Sequence, residues 1–444
     1  MRILKTVSKW KIMGLVIKAY IKKILFTFFI LIASAILGNS LLSLVYCLPT
    51  DKITQHVASG VQTFLTEGAT FEYASGYKSA ILDNVTDAIM LGEAVFPSTN
   101  TPVSASMSAP RYIYSDSSSP ELSLMAYIND NTSSERFIMT YPRYWHGYLI
   151  FIKPFFMFFD FSDSRIFHLG MQTILSVILI CLFYRKGFRH YIMPLTLLLV
   201  LWNPASVGMC MQYYACYYLS FFAMIVILWK ADSLLKNSFY FNILFLIIGI
   251  CTSYFDFLTY PMATLGLPLC IWLLLVPYNK KNLLHLITNA IFWAIGYLGM
   301  WAEKWMISSI ILKENVFQDA LANVAFRTST TVDADQINRI GTLCYIFRTL
   351  IKWPYVIFFG IPFVIILIMG LRKILRTNTC SISKQRYAKL LLFMLIALIP
   401  CAWFFVTANH AYVHPRLVYR NWGVSLFALF SGIIYFFNDF KQQN

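Results

Sequence analysis

YWHGYLIFIKPFFMFFDF, residues 144–161, is apolar enough to be mistaken for a membrane span. Its reading decides the sidedness of everything that follows. Counted as a span, it moves RKGFRH (185–190) to the outer side and reverses every later loop. Lys153-Pro154 sits in its middle, where a lipid-facing helix would meet a costly charge and a kink. We therefore read 144–161 as an amphipathic or re-entrant segment at the outer interface.

The rest of the chain leaves no doubt about its solvent. Of 444 residues, 58% are hydrophobic and 13% charged, and mean hydropathy is +0.63. Soluble domains run nearer a quarter charged, so this is an integral membrane protein. Many stretches reach the roughly 17 to 25 apolar residues of an α-helical span, and the alternating pattern of a β-barrel is absent. The 38 phenylalanines and 27 tyrosines suit lipid-facing and interfacial surfaces. The net charge of +16 follows from positive-inside bias and does not point to nucleic acid. The nine cysteines are scattered without CxxC spacing and read as small apolar fillers.

Seven basic residues fill positions 1–23, a cytoplasmic segment ahead of a first helix over 24–46 that no cleavage signal ends. Further spans are predicted near 165–184, 191–208, 210–229, 239–254, 261–277, 285–301, 346–370, 388–406 and 418–436. With the N-terminus in the cytoplasm, RKGFRH, WKADSLLK (229–236), NKKN (279–282) and the basic loop 371–389 fall inside, with Lys441. Only Asp232 and Asp439 oppose them there. The expected fold is an all-α polytopic membrane protein of about 10–12 transmembrane helices. It divides into a large extracytoplasmic loop (47–164), a helix bundle (165–301), a second outer loop (302–345) and C-terminal helices (346–444). No internal repeat, nucleotide-binding GxxxxGK[ST] loop or HExxH pair is present.

On this topology the polar residues gather on the outer side. Asp83 and Asp87 in LDNVTDAIMLGE are four apart, so both can lie on one helix face. A carboxylate there can take a proton from an acceptor hydroxyl; alternatively Asp83 merely caps the helix and Asp87 is solvated. TYPRYWHG adds Arg143, Trp145 and His146. Helix ends add Tyr254, Asp256, Glu303 and Lys304. Asp256 follows an apolar span, where it either pairs with an arginine or binds sugar hydroxyls or a cation. NHAYVHPRLVYRN (409–421) carries His410, His414, Arg416 and Arg420. Guanidinium forks suit phosphate oxygens, and the imidazoles can support a leaving group. The same arginines could instead anchor the last helix to headgroups. Whether a divalent cation takes part is left open, since the ligand spacing specifies none. Asn84 and Asn131 match the N-glycosylation pattern.

A first helix, a large acidic outer loop and basic or aromatic groups at outer helix ends resemble the polytopic GT-C glycosyltransferases in a bacterial form. The likeness is one of architecture across most of the chain. It implies multi-pass residence in the plasma membrane and transfer from a polyprenyl-phosphate-linked sugar on the extracytoplasmic face. The acceptor would be an envelope polymer, glycan or glycolipid. It also implies a first-loop acidic base, which falls on Asp87, Asp83 or Asp51, and a donor phosphate met by Arg416, Arg420, His410, His414 and Lys304. Asp256, Glu303, Arg143, Trp145, His146 and Tyr254 would then contact sugar or acceptor. A flippase or a donor-synthesising enzyme would be a natural partner. The competing class is a flippase or transporter of a lipid-linked precursor, and a third is an acyl- or phospho-group transferase of the envelope.

Overall fold

The computed structural model describes residues 2–130, 133–333, 335–377 and 383–437. The Asn131 sequon, Asp439, Lys441 and part of the 371–389 loop lie outside them. Among the described residues, eight helices are long and apolar enough to cross a membrane: Tyr20–Tyr46, Phe161–Arg185, Met211–Trp229, Ser238–Phe255, Asn282–Leu312, Trp353–Leu375, Lys384–Val406 and Pro415–Phe437. Two shorter apolar helices, Arg189–Trp202 and Met262–Leu275, fill the remaining hydropathy peaks. The chain is thus an all-α, multi-pass candidate membrane protein, with three small two-stranded sheets in the loops among the described residues.

Sequence sets each helix's place. Met262–Leu275 is apolar all round and buried along nearly its whole length, the pattern of a central element. Trp353–Thr377 is peripheral and exposes Ile357, Phe358, Ile361, Val364 and Ile365. The span expected over 191–208 is broken, because Asn203 adopts a left-handed φ of 58° and Pro204 restarts the chain. Helix Asn282–Leu312 continues well past 301. Of 346–370, the first residues belong to a separate helix, Arg339–Arg348, and the long helix begins at Trp353-Pro354. Within 144–161 only Leu149–Phe156 is a helix, far shorter than the roughly 17 residues a crossing needs. Lys153 is fully buried there and donates to the Ala94 and Phe96 carbonyls at 2.9 and 3.4 Å.

The two large loops and the connectors after Trp202, Phe255 and Val406 meet on one face, called here the loop face. The bundle beneath it is held by a close crossing of Ser238–Phe255 with Asn282–Leu312. A Cβ added to Gly249 would lie 2.1 Å from the Trp293 carbonyl oxygen, and one on Gly296 would lie 2.2 Å from that of Leu246. Each glycine therefore admits the other helix's backbone, as small residues do in membrane packing. Gly296→Ala is expected to lower the thermal midpoint of the detergent-purified protein, at a cost of about 1–3 kcal/mol. An unchanged midpoint would show that the helices can separate freely.

Candidate functional site

The connector 409–421 is folded inward. His410 and Asn409 are buried on the short helix Ala408–Val413. His410 Nε2 meets the Leu258 carbonyl at 2.8 Å, and Arg327 Nη1 meets His414 Nε2 at 3.1 Å. Burial holds His410 well below its ordinary range and, with Arg327 nearby, brings His414 down to about 4. Both imidazoles are neutral at neutral pH, so His414 can accept from Arg327.

Arg416 reaches back to the first loop. Its Nη2 and Nε donate to Asp83 Oδ2 at 3.1 and 3.3 Å. Asp83 also caps helix Asn84–Ala94 by accepting from the Thr86 amide at 3.3 Å. The Asp83 side chain is only 2% exposed but that of Arg416 is 28% exposed, so the pair can be approached past the guanidinium. Arg420 is fully buried. It stacks 3.7 Å from the Tyr213 ring centre and donates to the carbonyls of Arg416 at 2.7 Å and Trp202 at 3.2 Å. Its Nη2 has no hydrogen-bond partner.

Asp83 and Asp87 do not act as a pair. Asp87 points away from Arg416 to accept from the Met211 amide at 3.2 Å, and it is completely buried. Burial pushes its carboxyl up to about 8, opposed by that hydrogen bond and by Arg165. The folded state therefore holds this proton more tightly than the unfolded chain, whose carboxylate titrates near about 4. Stability from this group falls as pH rises from that value through about 8. Asp87→Asn is expected to flatten the fall and raise the thermal midpoint above pH 8. A wild-type midpoint that rises over this window would contradict the assignment. Asp51 is exposed at the first turn of Asp51–Glu67 and forms no ion pair with Arg416.

Most other candidate residues join the first loop to the bundle. His146, at a φ of 56°, lies 3.0 Å from Glu93 Oε2 through Nδ1, while Nε2 meets the Tyr141 carbonyl at 2.8 Å. Tyr148 donates to the same Glu93 oxygen at 2.5 Å. Trp145 donates to the Met300 carbonyl at 2.7 Å, and Tyr254 to that of Gly38 at 2.7 Å. Lys304 is wholly buried and donates to the Ser106 and Met107 carbonyls, each at 3.0 Å. Glu303, one residue before it, is part-buried with Oε2 unpartnered. Asp256 closes its own turn by accepting from the Thr259 amide at 3.0 Å and from its hydroxyl. Burial raises its carboxyl to about 6 against these bonds.

Between these groups lies a cavity of about 470 Å³. Trp293, Tyr297, Trp301 and Trp305 line it from one face of Asn282–Leu312. Their neighbouring rings lie 4.7, 4.9 and 5.9 Å apart along the stripe, as four-residue spacing requires. Trp403 and Leu265 complete the apolar part, and Arg143, Tyr144 and Arg327 stand at the loop-face end. Arg143 pairs with Asp319 at 2.8 Å. Arg327 belongs both to the cavity wall and, through His414, to the Asp83–Arg416 neighbourhood. A larger hollow of about 630 Å³ on the first loop is open and shares no lining residue with this site.

Arg327, Glu93 and the aromatic stripe were missed in the sequence. The stripe had a readable signal in its spacing. Arg327 had none, because its helix, Val316–Arg327, sits in a stretch that reads only as a long polar loop. Among the described residues, no three His, Cys, Asp or Glu side chains are grouped to hold a metal ion. No protein family, no curated protein and no solved structure matches the chain.

Proposed function

We propose that the protein is a glycosyltransferase of the GT-C kind, moving a sugar from a polyprenyl-phosphate donor to an envelope glycan, polymer or lipid. The observation that carries this reading is a cavity that is aromatic in its depth, cationic at its mouth and linked by Arg327 and His414 to a carboxylate–guanidinium pair. An amphiphile with an apolar chain and an anionic head complements such a cavity. The isoprenoid chain lies along Trp293, Tyr297 and Trp301, and the phosphate is held by Arg327 and Arg143, with guanidinium forks suited to its oxygens. The attached sugar then points toward Asp83.

Transfer is a single displacement. The Asp83 carboxylate takes the proton of the acceptor hydroxyl as that oxygen bonds to the anomeric carbon. The bond from that carbon to the phosphate oxygen breaks, and its electron pair leaves on the polyprenyl phosphate. Arg327 and Arg416 stabilise the developing negative charge. Neutral His414 holds the Arg327 guanidinium in place without adding a competing cation. The loop face would be extracytoplasmic, the membrane a bacterial plasma membrane, and the donor would arrive from a flippase or synthesising partner.

The test uses detergent-purified protein with a panel of short-chain polyprenyl-phosphate sugars and envelope polymer, following release of polyprenyl phosphate. Wild type should turn over at least one donor, and Arg327→Ala should raise the donor KM about tenfold or more. Movement of an intact lipid-linked sugar across liposomes, without cleavage, would replace this reading with the transporter one.

A further inference from the structure

The strand that delivers Asp83 belongs to a hairpin whose turn is rich in tyrosine. Thr70–Glu72 pairs with Ile81–Asp83, and between them Tyr73 is 40% exposed and Tyr77 half-buried. This turn is held rigidly. Asn203 Nδ2 donates to the Ser79 carbonyl at 3.1 Å, and the Ser206 hydroxyl donates to the same oxygen. The Tyr73 hydroxyl meets Ser206 Oγ at 3.0 Å, and Ser79 Oγ meets the Tyr355 hydroxyl at 2.5 Å. Tyr77 stands edge-on to Tyr355, ring centres 6.0 Å apart.

Inward of Tyr355, and near enough for Tyr419 to feel its charge, Tyr419 and Tyr213 extend the row and flank Arg420, their ring centres 4.9 and 3.7 Å from its guanidinium. Among the polar atoms buried here without a partner are Arg420 Nη2 and the Tyr213 hydroxyl. Buried polar atoms are nearly always satisfied by protein, water or ligand. Arg420 in turn donates to the Arg416 carbonyl, so the row ends behind the Asp83–Arg416 pair. The aromatic cavity reaches that pair by a different route, through Arg327 and His414.

We infer that the tyrosine row is the acceptor subsite and that its ligand is a carbohydrate chain. Sugar rings offer apolar C–H faces that pack on tyrosine, together with hydroxyls that need partners. Tyrosine supplies an apolar body with a polar edge and loses little conformational freedom on binding. The rings of the chain pack on Tyr77 and Tyr73, and its leading unit brings one hydroxyl to Asp83 and others toward Tyr213 and Arg420. A single displacement needs the acceptor and the leaving group on opposite sides of the anomeric carbon, and two separate routes to Asp83 provide for that. The inference rests on the sugar-transfer reading.

Immobilised tetrasaccharides of glucan, galactan, rhamnan and N-acetylglucosamine type serve as probes for detergent-purified protein, with polyprenyl phosphate binding measured separately. Wild type should bind at least one tetrasaccharide. Tyr73→Ala and Tyr77→Ala should each weaken that binding about tenfold, with polyprenyl phosphate binding unchanged. Tyr77→Phe should retain the glycan. Failure to bind every tetrasaccharide, or glycan binding unmoved by both alanine variants, overturns the inference. If wild type bound glycan in this tyrosine-dependent way but not polyprenyl phosphate, the acceptor row would stand and the donor reading would fall.

Discussion

Asp83→Asn is expected to reduce sugar transfer about 10²- to 10⁴-fold, the usual loss when a general base is removed. Asparagine caps a helix about as well as aspartate, so the bond from the Thr86 amide survives the change. Arg416 loses its counter-ion, but its side chain is 28% exposed and can be rehydrated. The variant should therefore keep its thermal midpoint and still bind polyprenyl phosphate, with the loss confined to kcat. Asp87→Asn makes the matched comparison, since Asp87 faces Met211 and should leave turnover near wild type. If Asp87→Asn abolished turnover and Asp83→Asn did not, the base would be the deeper carboxyl and the site would have to open to reach it.

Glu93→Ala carries the largest expected effect on stability. Glu93 is fully buried and its Oε2 is shared by Tyr148 and His146. Removing one partner from a buried pair leaves the others without water or acceptor, at a cost of about 3–5 kcal/mol. Glu93→Gln keeps a carbonyl oxygen in the same place and should cost about 1–2 kcal/mol. Thermal unfolding in detergent, with expression yield, separates the two variants. A Glu93→Ala midpoint equal to wild type would mean that the first loop does not depend on this contact.

Among the described residues, hydropathy located the eight long apolar helices and the two shorter ones, because helix hydrophobicity is a property of local composition. The Asn203-Pro204 break and the separate start at Trp353 were less visible, since hydropathy does not register backbone breaks. Polar contacts were harder still. Asp83 and Arg416 could each be singled out, but their pairing joins residues 333 positions apart. The four-residue spacing of Asp83 and Asp87 suggested a shared face; the capping alternative holds for Asp83, but Asp87 is buried against Met211 rather than solvated. Lys304 and Arg420 were expected from the sequence to meet a donor phosphate. In the fold Lys304 is bound by backbone carbonyls, and Arg420 by carbonyls and an aromatic face that leave only its Nη2 over.

Two of the buried lysines, Lys153 and Lys304, also set an order of assembly. Lys153 binds carbonyls that precede it by 59 and 57 residues, so that clasp can close early in synthesis. Lys304 holds carbonyls nearly two hundred positions upstream. The first loop must therefore wait, partly open, until Asn282–Leu312 has entered the bilayer. Asp83 waits longer, because Arg416 lies at the entry to the last described helix. A nascent chain halted before that point would have the cavity stripe in place but no completed Asp83–Arg416 pair.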